Sequence, residues 1–502
     1  MRALVIGAGL AGLAAAERLL DHGAHVTVVD SFPVPGGRTA SFDVPVPVAG
    51  LVPGDVVEHG LHAWFQHYHA LFALMDRAGV KKPPFAGRGV HLWNAERGHV
   101  NIDGGPLLWL VNALRLPEPL RGKRSPALTA FGRLIAHLAP ALADPGAADR
   151  ETAQTVFERF GVPNEAVRYV FGPCLYSLTS LPVSELSALE MLRWMSNILP
   201  DPRIRCLEGG GTAAMAAPIS RYLRERGADF RLGVEVKRLA LARNGFIDVR
   251  FAEAPDRTGV RHVLVQGFRP AALPDPRGFD AVVSTLPWER LLEVTERDPA
   301  LIGRNAGADP TKLSNVHPLT IRLWFERPIH GAESHYVLSS GTLFDVLRPT
   351  PEPHRYDGVR LIDALVENID THLPELRYDG ERFLTDGDVR RRIVERVTGD
   401  LERLYPGQIA GNPVTRQFLH SREGIVACRP GAWTNRAPQY VGMPQFVLAG
   451  DWTRQPWGIC MEGAVRSGQL AVEALLSGRQ PAPSPHPFGQ VAYSLRTMFE
   501  SA

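Results

Sequence analysis

The first twelve residues constrain this chain more than any other stretch. An apolar run, Ala3 to Ile6, leads into Gly7, Ala8, Gly9, Leu10, Ala11 and Gly12 and then into an alanine-rich segment of helical character. Gly7 allows a tight turn, Gly9 lets backbone approach a bound group, and Gly12 lets a helix pack closely on a strand. The helix start then offers unpaired N–H groups to an anion, so the stretch suits a pyrophosphate. A lone GxGxxG says little. Here a second strand, His25 to Val29, follows and ends at Asp30, about 20 residues after the glycines, where a carboxylate can take ribose hydroxyls. The same acid repels a 2′-phosphate and so disfavours NADP.

At 502 residues the chain exceeds one ordinary core, and two or more domains are expected. A net charge of +2 without a long basic run argues against a nucleic-acid partner. Lysine stands only at Lys81, Lys82, Lys123, Lys237 and Lys312, which limits any mechanism that needs one. Cys174, Cys206, Cys428 and Cys460 are widely spaced and form no CxxC, so neither a disulfide framework nor a zinc site is signalled and a reduced, cytoplasmic setting is expected. His59, His62, His67 and His69 cluster, but no carboxylate or cysteine completes a ligand set beside them, and no metal is expected. A strand at the start leaves no room for a signal peptide, and no uninterrupted apolar run reaches the ~18 residues of a membrane span.

After Asp30, Gly36 and Gly37 precede Arg38, a bidentate donor suited to a second phosphate. Residues 106–143 are unusually apolar, with Arg115, Arg121, Lys123, Arg124 and Arg133 between and beside the apolar stretches. That pattern suits a helical hairpin lying in a membrane interface, and equally an ordinary buried hairpin. Strand-and-glycine sequence returns at Ile204 to Val236, at Asp280 to Pro287, and at LAGDW before a helix from about Met461. The expectation is one nucleotide domain built from 1–75, 204–290 and 430–478, a substrate domain from 76–203 and 291–429, and a proline-rich tail at 479–502. Within the substrate domain, His317 to Pro328 alternates, with Leu319, Ile321, Leu323 and Phe325 on one face and Thr320, Arg322, Trp324 and Glu326 on the other.

GAGLAG, Asp30, GGR, EHGLH, and LAGDW with MEGA, in that order, resemble the FAD-dependent amine oxidase and phytoene desaturase superfamily. The resemblance implies an α/β chain: a Rossmann-like FAD-binding domain assembled from discontinuous segments, plus an α+β substrate domain. It implies that Gly7, Gly9, Leu10, Ala11, Gly12 and Asp30 hold the ADP half of FAD, with Val236 flanking the adenine. Gly37 and Arg38 would reach the phosphate and ribitol, Gly60, Leu61 and His62 would border the flavin ring, and Gly450 and Asp451 would bind ribitol and pyrophosphate. The helix from Met461 would aim its N–H dipoles at flavin N1 and the C2 carbonyl.

Amine oxidases of the superfamily use a lysine on the long strand and an aromatic pair before the flavin. Thr320 stands at the lysine's place and Cys460 at the second aromatic's. The segments GLHAWFQHYHALFALMDRAGV, LTSLPVSELSALEML and HPLTIRLWFERPI are instead similar to phytoene and ζ-carotene desaturases of the plant and cyanobacterial type. Arg322 departs from the histidine common there, and TRQPWGIC from a TKQ segment. The implied activity is desaturation of a long apolar isoprenoid by hydride transfer to flavin N5, with quinone or oxygen as electron acceptor and peripheral attachment to the cytoplasmic membrane face. Alternatives are oxidation of an amine or amino acid, isomerisation or dehydroxylation of a terpenoid such as a squalene precursor, and non-catalytic FAD binding. His62, Thr320, Arg322, Trp457 and Cys460 are the candidates for the substrate face of the flavin, and no general base is assigned.

Overall fold

The chain crosses repeatedly between two layers. It opens with β1 (Arg2–Ile6), α1 (Leu10–Asp21) and β2 (His25–Asp30), followed by α2 (His69–Arg77). It then enters the second layer with β3 (Val90–Asn94), β4 (Gly98–Asn101), α3 (Gly172–Thr179) and α4 (Ala188–Ile198). A return to the first layer brings α5 (Ala213–Glu225), β5 (Asp229–Leu232), β6 (Val234–Leu241) and β7 (Ala281–Ser284). The second layer is completed by β8 (Leu319–Ile329), β9 (Tyr336–Ser340), β10 (Val346–Pro351), β11 (Val359–Val366), α6 (Gly387–Leu404) and β12 (Val414–His420). Finally β13 (Tyr440–Met443), β14 (Phe446–Leu448) and α7 (Met461–Ser477) rejoin the first. The computed structural model describes residues 1–43, 56–58, 62–84, 90–96, 98–101, 133–134, 137, 144–198, 203–205, 213–243, 245–254, 270–276, 279–332, 336–351, 359–372, 387–420 and 424–481.

Three distant pieces of sequence therefore build one sheet, in the order β13-β14-β7-β1-β2-β5. It is parallel except for the edge pair β13–β14. Its central strands are covered on both sides, which is why Ala3 to Ile6 and Ala281 to Ser284 read as continuous apolar runs. On one side α1 and α7 pack so closely that a Cβ at Gly468 would stand 2.1 Å from the carbonyl oxygen of Ala11. A helix pair can approach this far only where one side chain is missing.

The second sheet runs β12-β8-β11-β10-β9-β3-β4 and is antiparallel apart from β9–β3. Leu319, Ile321, Leu323 and Phe325 of β8 pack with Val389, Ile393, Val397 and Leu401 of α6, whose spacing of four residues turns one stripe to the sheet. Two expected boundaries differ in the structure. The break at residue 75 falls inside α2, whose Leu71, Leu74 and Met75 pack on α1 and α7. The break at residue 290 is also early, because Leu291, Leu292, Val294, Leu301, Ile302 and Leu313 share a core with Leu4, Val282 and Leu448 of the first sheet. Apart from 133, 134 and 137, the expected hairpin at 106–143 lies outside the described residues, as do Gly60, Leu61 and the tail beyond 481.

Candidate functional site

The site begins where β1 ends. Gly7 holds φ +107°, a left-handed conformation that suits glycine, and a Cβ on Gly12 would stand 1.9 Å from the carbonyl oxygen of Gly7. α1 starts after Gly9 without a side-chain cap, so its first N–H groups are left for an outside acceptor. The GGR turn faces this point: Gly36 N–H donates to the carbonyl of Ala8 at 2.9 Å, and Gly37 lies against Gly9 backbone to backbone. These two bare turns form a cradle that fits a pyrophosphate and that side chains would fill. Asp30 fixes one wall by accepting from the N–H groups of Ala8 and Phe32, each at 2.7 Å. Val236 sits in the adjoining core, with its carbonyl taking a hydrogen bond from Arg290 at 3.2 Å.

The last segment closes the cradle. Gly450 follows β14 at φ +122° and donates its N–H to Ser467 Oγ of α7 at 2.8 Å. Asp451, next in sequence, is buried and takes a hydrogen bond from Arg38 at 2.5 Å across 413 residues of chain. Met461 opens α7 and Cys460 caps it, with Sγ accepting from Gly463 N–H at 3.4 Å. Burial pushes the Cys460 thiol up to about 12, so it is neutral at physiological pH. Trp457 is buried, stacked on His67 at 5.5 Å and lying under the Arg466 guanidinium at 4.5 Å. Its ring is thus engaged with protein groups.

Sequence reasoning missed Glu462. Wholly buried in the first turn of α7, its two carboxylate oxygens accept from the N–H groups of Ala70 and Leu71, each at 2.9 Å, and one also accepts from Arg466 at 2.7 Å. A carboxylate of one helix thereby caps the N-terminus of another, α2. The only signal for it was its fixed place in MEGA.

Opposite the cofactor segments lies the second face of the seven-stranded sheet. Leu92, Tyr336, Leu338, Val346 and Leu365 line it, joined by Val170, Ile204 and the partly buried Ala63, Phe65 and Cys174. The Tyr336 hydroxyl donates to the carbonyl of His62 at 3.0 Å, which ties this apolar face to the segment expected to border the flavin. Thr320 is on the same face, 2% exposed, and its hydroxyl oxygen has no partner among the described residues. Arg322 forks onto Asp363 at 2.6 and 3.0 Å, and Arg348 adds a third bond at 2.8 Å. Burial pushes the Asp363 carboxyl up, but the two guanidiniums outweigh it and hold it below the usual carboxylate range. Arg322 is thus a member of a buried ion triad on the same side of the sheet as Thr320.

The model of the flavin-containing amine oxidoreductases matches residues 10–476, from the first residue of α1 to the last turn of α7. The chain belongs to this family. Relatives of similar sequence include the probable ζ-carotene desaturase of Synechococcus elongatus, 24% identical over 95% of this chain and 99% of that one. The ζ-carotene desaturase of Arabidopsis thaliana is 24% identical, covering 94% of this chain and 84% of the relative. The 15-cis-phytoene desaturase of the same plant is 23% identical, covering 95% and 80%. Among solved structures, an oxidoreductase from Methanosarcina mazei aligns with a TM-score of 0.65 at 16% identity over 94% of this chain and all of its own. Cyclohexylamine oxidase from Brevibacterium oxydans aligns with a TM-score of 0.63 at 17% identity over 95% and 99%. These likenesses show the fold. As a family member the protein is a flavin-dependent oxidoreductase with FAD as its cofactor.

The donor set fits that cofactor. The bare turns at Gly7–Gly12 and Gly36–Gly37 would hold the pyrophosphate, Arg38 and Asp451 the linking region, and the N-terminus of α7 the electron-rich edge of the ring. When bound, FAD would supply the redox chemistry. The side chains of the apolar face are buried and packed together, which would keep water from a substrate held against it.

Proposed function

We propose that the protein desaturates a long apolar isoprenoid of the carotenoid type, with the flavin as hydride acceptor. The observation that carries this reading is the apolar face of the seven-stranded sheet, continuous from Ala63 and Phe65 to Val346 and Leu365. The Asp363 carboxylate on this side of the sheet is taken up by Arg322 and Arg348, and the apolar side chains beside it suit a hydrocarbon chain. Thr320 in place of a lysine, and Cys460 in place of an aromatic ring, support the same reading against amine oxidation. The relatives named as carotene desaturases support it further. Delivery of the substrate from a membrane surface, by peripheral association through residues 106–143, and passage of electrons to a quinone or oxygen complete the proposal. Among the described residues no helix is long and apolar enough to cross a membrane.

The test is anaerobic mixing of the FAD-loaded protein with liposomes carrying a linear carotene, and separately with a panel of amines, while the oxidised flavin absorbance is followed. Bleaching by the carotene with formation of a new conjugated double bond is the expected result. Bleaching by amines alone overturns the reading. Product formation without net flavin reduction transfers the assignment to isomerisation or dehydroxylation.

A further inference from the structure

A second polar assembly lies behind the turn that opens α7, and nothing in the cofactor cradle or the substrate lining accounts for it. Glu190 and Arg193 sit one turn apart on α4, and Arg436 follows the short helix Ala432–Asn435. One oxygen of Glu190 accepts a hydrogen bond from Arg193 and forms an ion pair with Arg436, each at 3.0 Å, and the three side chains are no more than 2% exposed. Arg436 also donates to Cys428 Sγ at 3.2 Å, and the Arg193 guanidinium lies 3.9 Å from the centre of the Trp433 ring. Asp149, the other carboxyl close by, is occupied by Ser187 Oγ at 2.8 Å and Trp433 N–H at 2.9 Å. The second oxygen of Glu190 and two further N–H positions of Arg436, Nε and Nη1, are buried with no hydrogen-bond partner among the described residues.

The assembly bears directly on the flavin end of the site. A Cβ on Gly458 would stand 3.0 Å from Trp194 Nε1 and 3.4 Å from the unpartnered oxygen of Glu190. On its other side the same turn is fastened to the cofactor segment, since Gln455 Nε2 donates to the carbonyls of Asp451 and Gly458 at 3.3 and 3.2 Å. A Cβ on Gly463, in the first turn of α7, would stand 2.5 Å from the carbonyl of Gly458. The charges are thus separated from the N-terminus of α7 by one tightly packed turn. In such a setting a fixed charge is poorly screened.

We propose that Glu190, clasped between Arg193 and Arg436 against the turn that opens α7, is a fixed charge that sets how readily the bound flavin is reduced. Reduction adds two electrons to the ring and leaves it more negative, so a nearby carboxylate opposes it and a nearby guanidinium favours it. Glu190 therefore acts as a tuning residue, without touching the ring. The proposal rests on FAD and not on the identity of the substrate.

The measurement is the midpoint potential of the full-length, FAD-loaded protein, titrated anaerobically against a reference dye with no substrate present. Glu190→Gln is expected to shift the equilibrium about tenfold toward reduced flavin, which is about 30 mV upward for a two-electron couple. Arg193→Gln, which leaves the Glu190–Arg436 pair intact, shifts it about as far downward. The double variant Glu190→Gln with Arg436→Gln removes equal and opposite charges, leaves Arg193 against a neutral amide, and stays within about threefold of the unaltered protein. A merely structural role moves all three variants the same way or not at all, and either outcome overturns the proposal. A tenfold displacement in the double variant overturns it too, even if Glu190→Gln fails to fold. Because no isoprenoid enters the experiment, a protein that shows these shifts but leaves carotenes untouched refutes only the desaturase reading.

Discussion

At the scale of single residues, two positions carry sharp expectations. Gly12 has the carbonyl oxygen of Gly7 where a Cβ would go, at 1.9 Å, and backbone on both sides leaves little room to yield. Gly12→Ala is expected to give folded protein that purifies with little FAD, read as the ratio of flavin to protein absorbance. Gly399→Ala, in open space on α6, should retain it. Glu367 is different in kind: buried at the end of β11, it takes a hydrogen bond from Ser180 Oγ at 2.7 Å. Burial first, and then the Asp345 carboxyl, push its pKa up from 4.5 to about 8 against the Ser180 hydrogen bond. Between those two values the folded chain binds a proton that the unfolded chain has lost, so stability falls as pH rises through that window and levels off above it. Chemical denaturation across the window should show a loss of up to about 4 kcal/mol that Glu367→Gln lacks. An equal slope in both proteins would refute the assignment.

At the scale of elements, Glu462 makes the placing of α2 depend on α7. Glu462→Ala removes the acceptor of two backbone N–H groups and strands them in the interior, at a cost of about 3 kcal/mol in urea unfolding. Glu462→Gln retains one acceptor oxygen and should lose about half as much. These elements were legible in the sequence to unequal degrees. β1, α1 and β2 announce themselves because glycine spacing and apolar runs are local, and β8 does so because its alternation outlasts its neighbours. The contact of Glu462 with Ala70 joins residues 392 apart, and that of Glu190 with Arg436 joins residues 246 apart, so no periodicity reports either. Arg322 shows the opposite failing: its place in the strand was correctly read, but its partners Asp363 and Arg348 lie on other strands, and only pairing in the sheet brings them together. The extension of the cofactor-side core to Leu313 is likewise hidden, because helical turns too short to show a period carry it.

At the scale of the whole molecule, the cofactor cradle is drawn from the first 38 residues and from the stretch between Gly450 and α7. A ligand gripping both should stabilise the chain globally, by about 2.7 kcal/mol at a hundredfold excess over its dissociation constant. Thermal unfolding followed at rising FAD concentration should therefore show a climbing midpoint, and Arg38→Ala, which breaks the link to Asp451, should flatten that climb. A midpoint indifferent to FAD would refute this account of the cradle. The seating of α7 on α1, with Gly468 pressed against Ala11, has a consequence for biosynthesis. At about 5–20 residues per second, the ribosome takes roughly half a minute or more after making Gly12 before it delivers Met461. During that interval the nascent N-terminal strand–helix unit lacks its closing helix and exposes an apolar flank. The two halves of the flavin cradle therefore come together only late in synthesis.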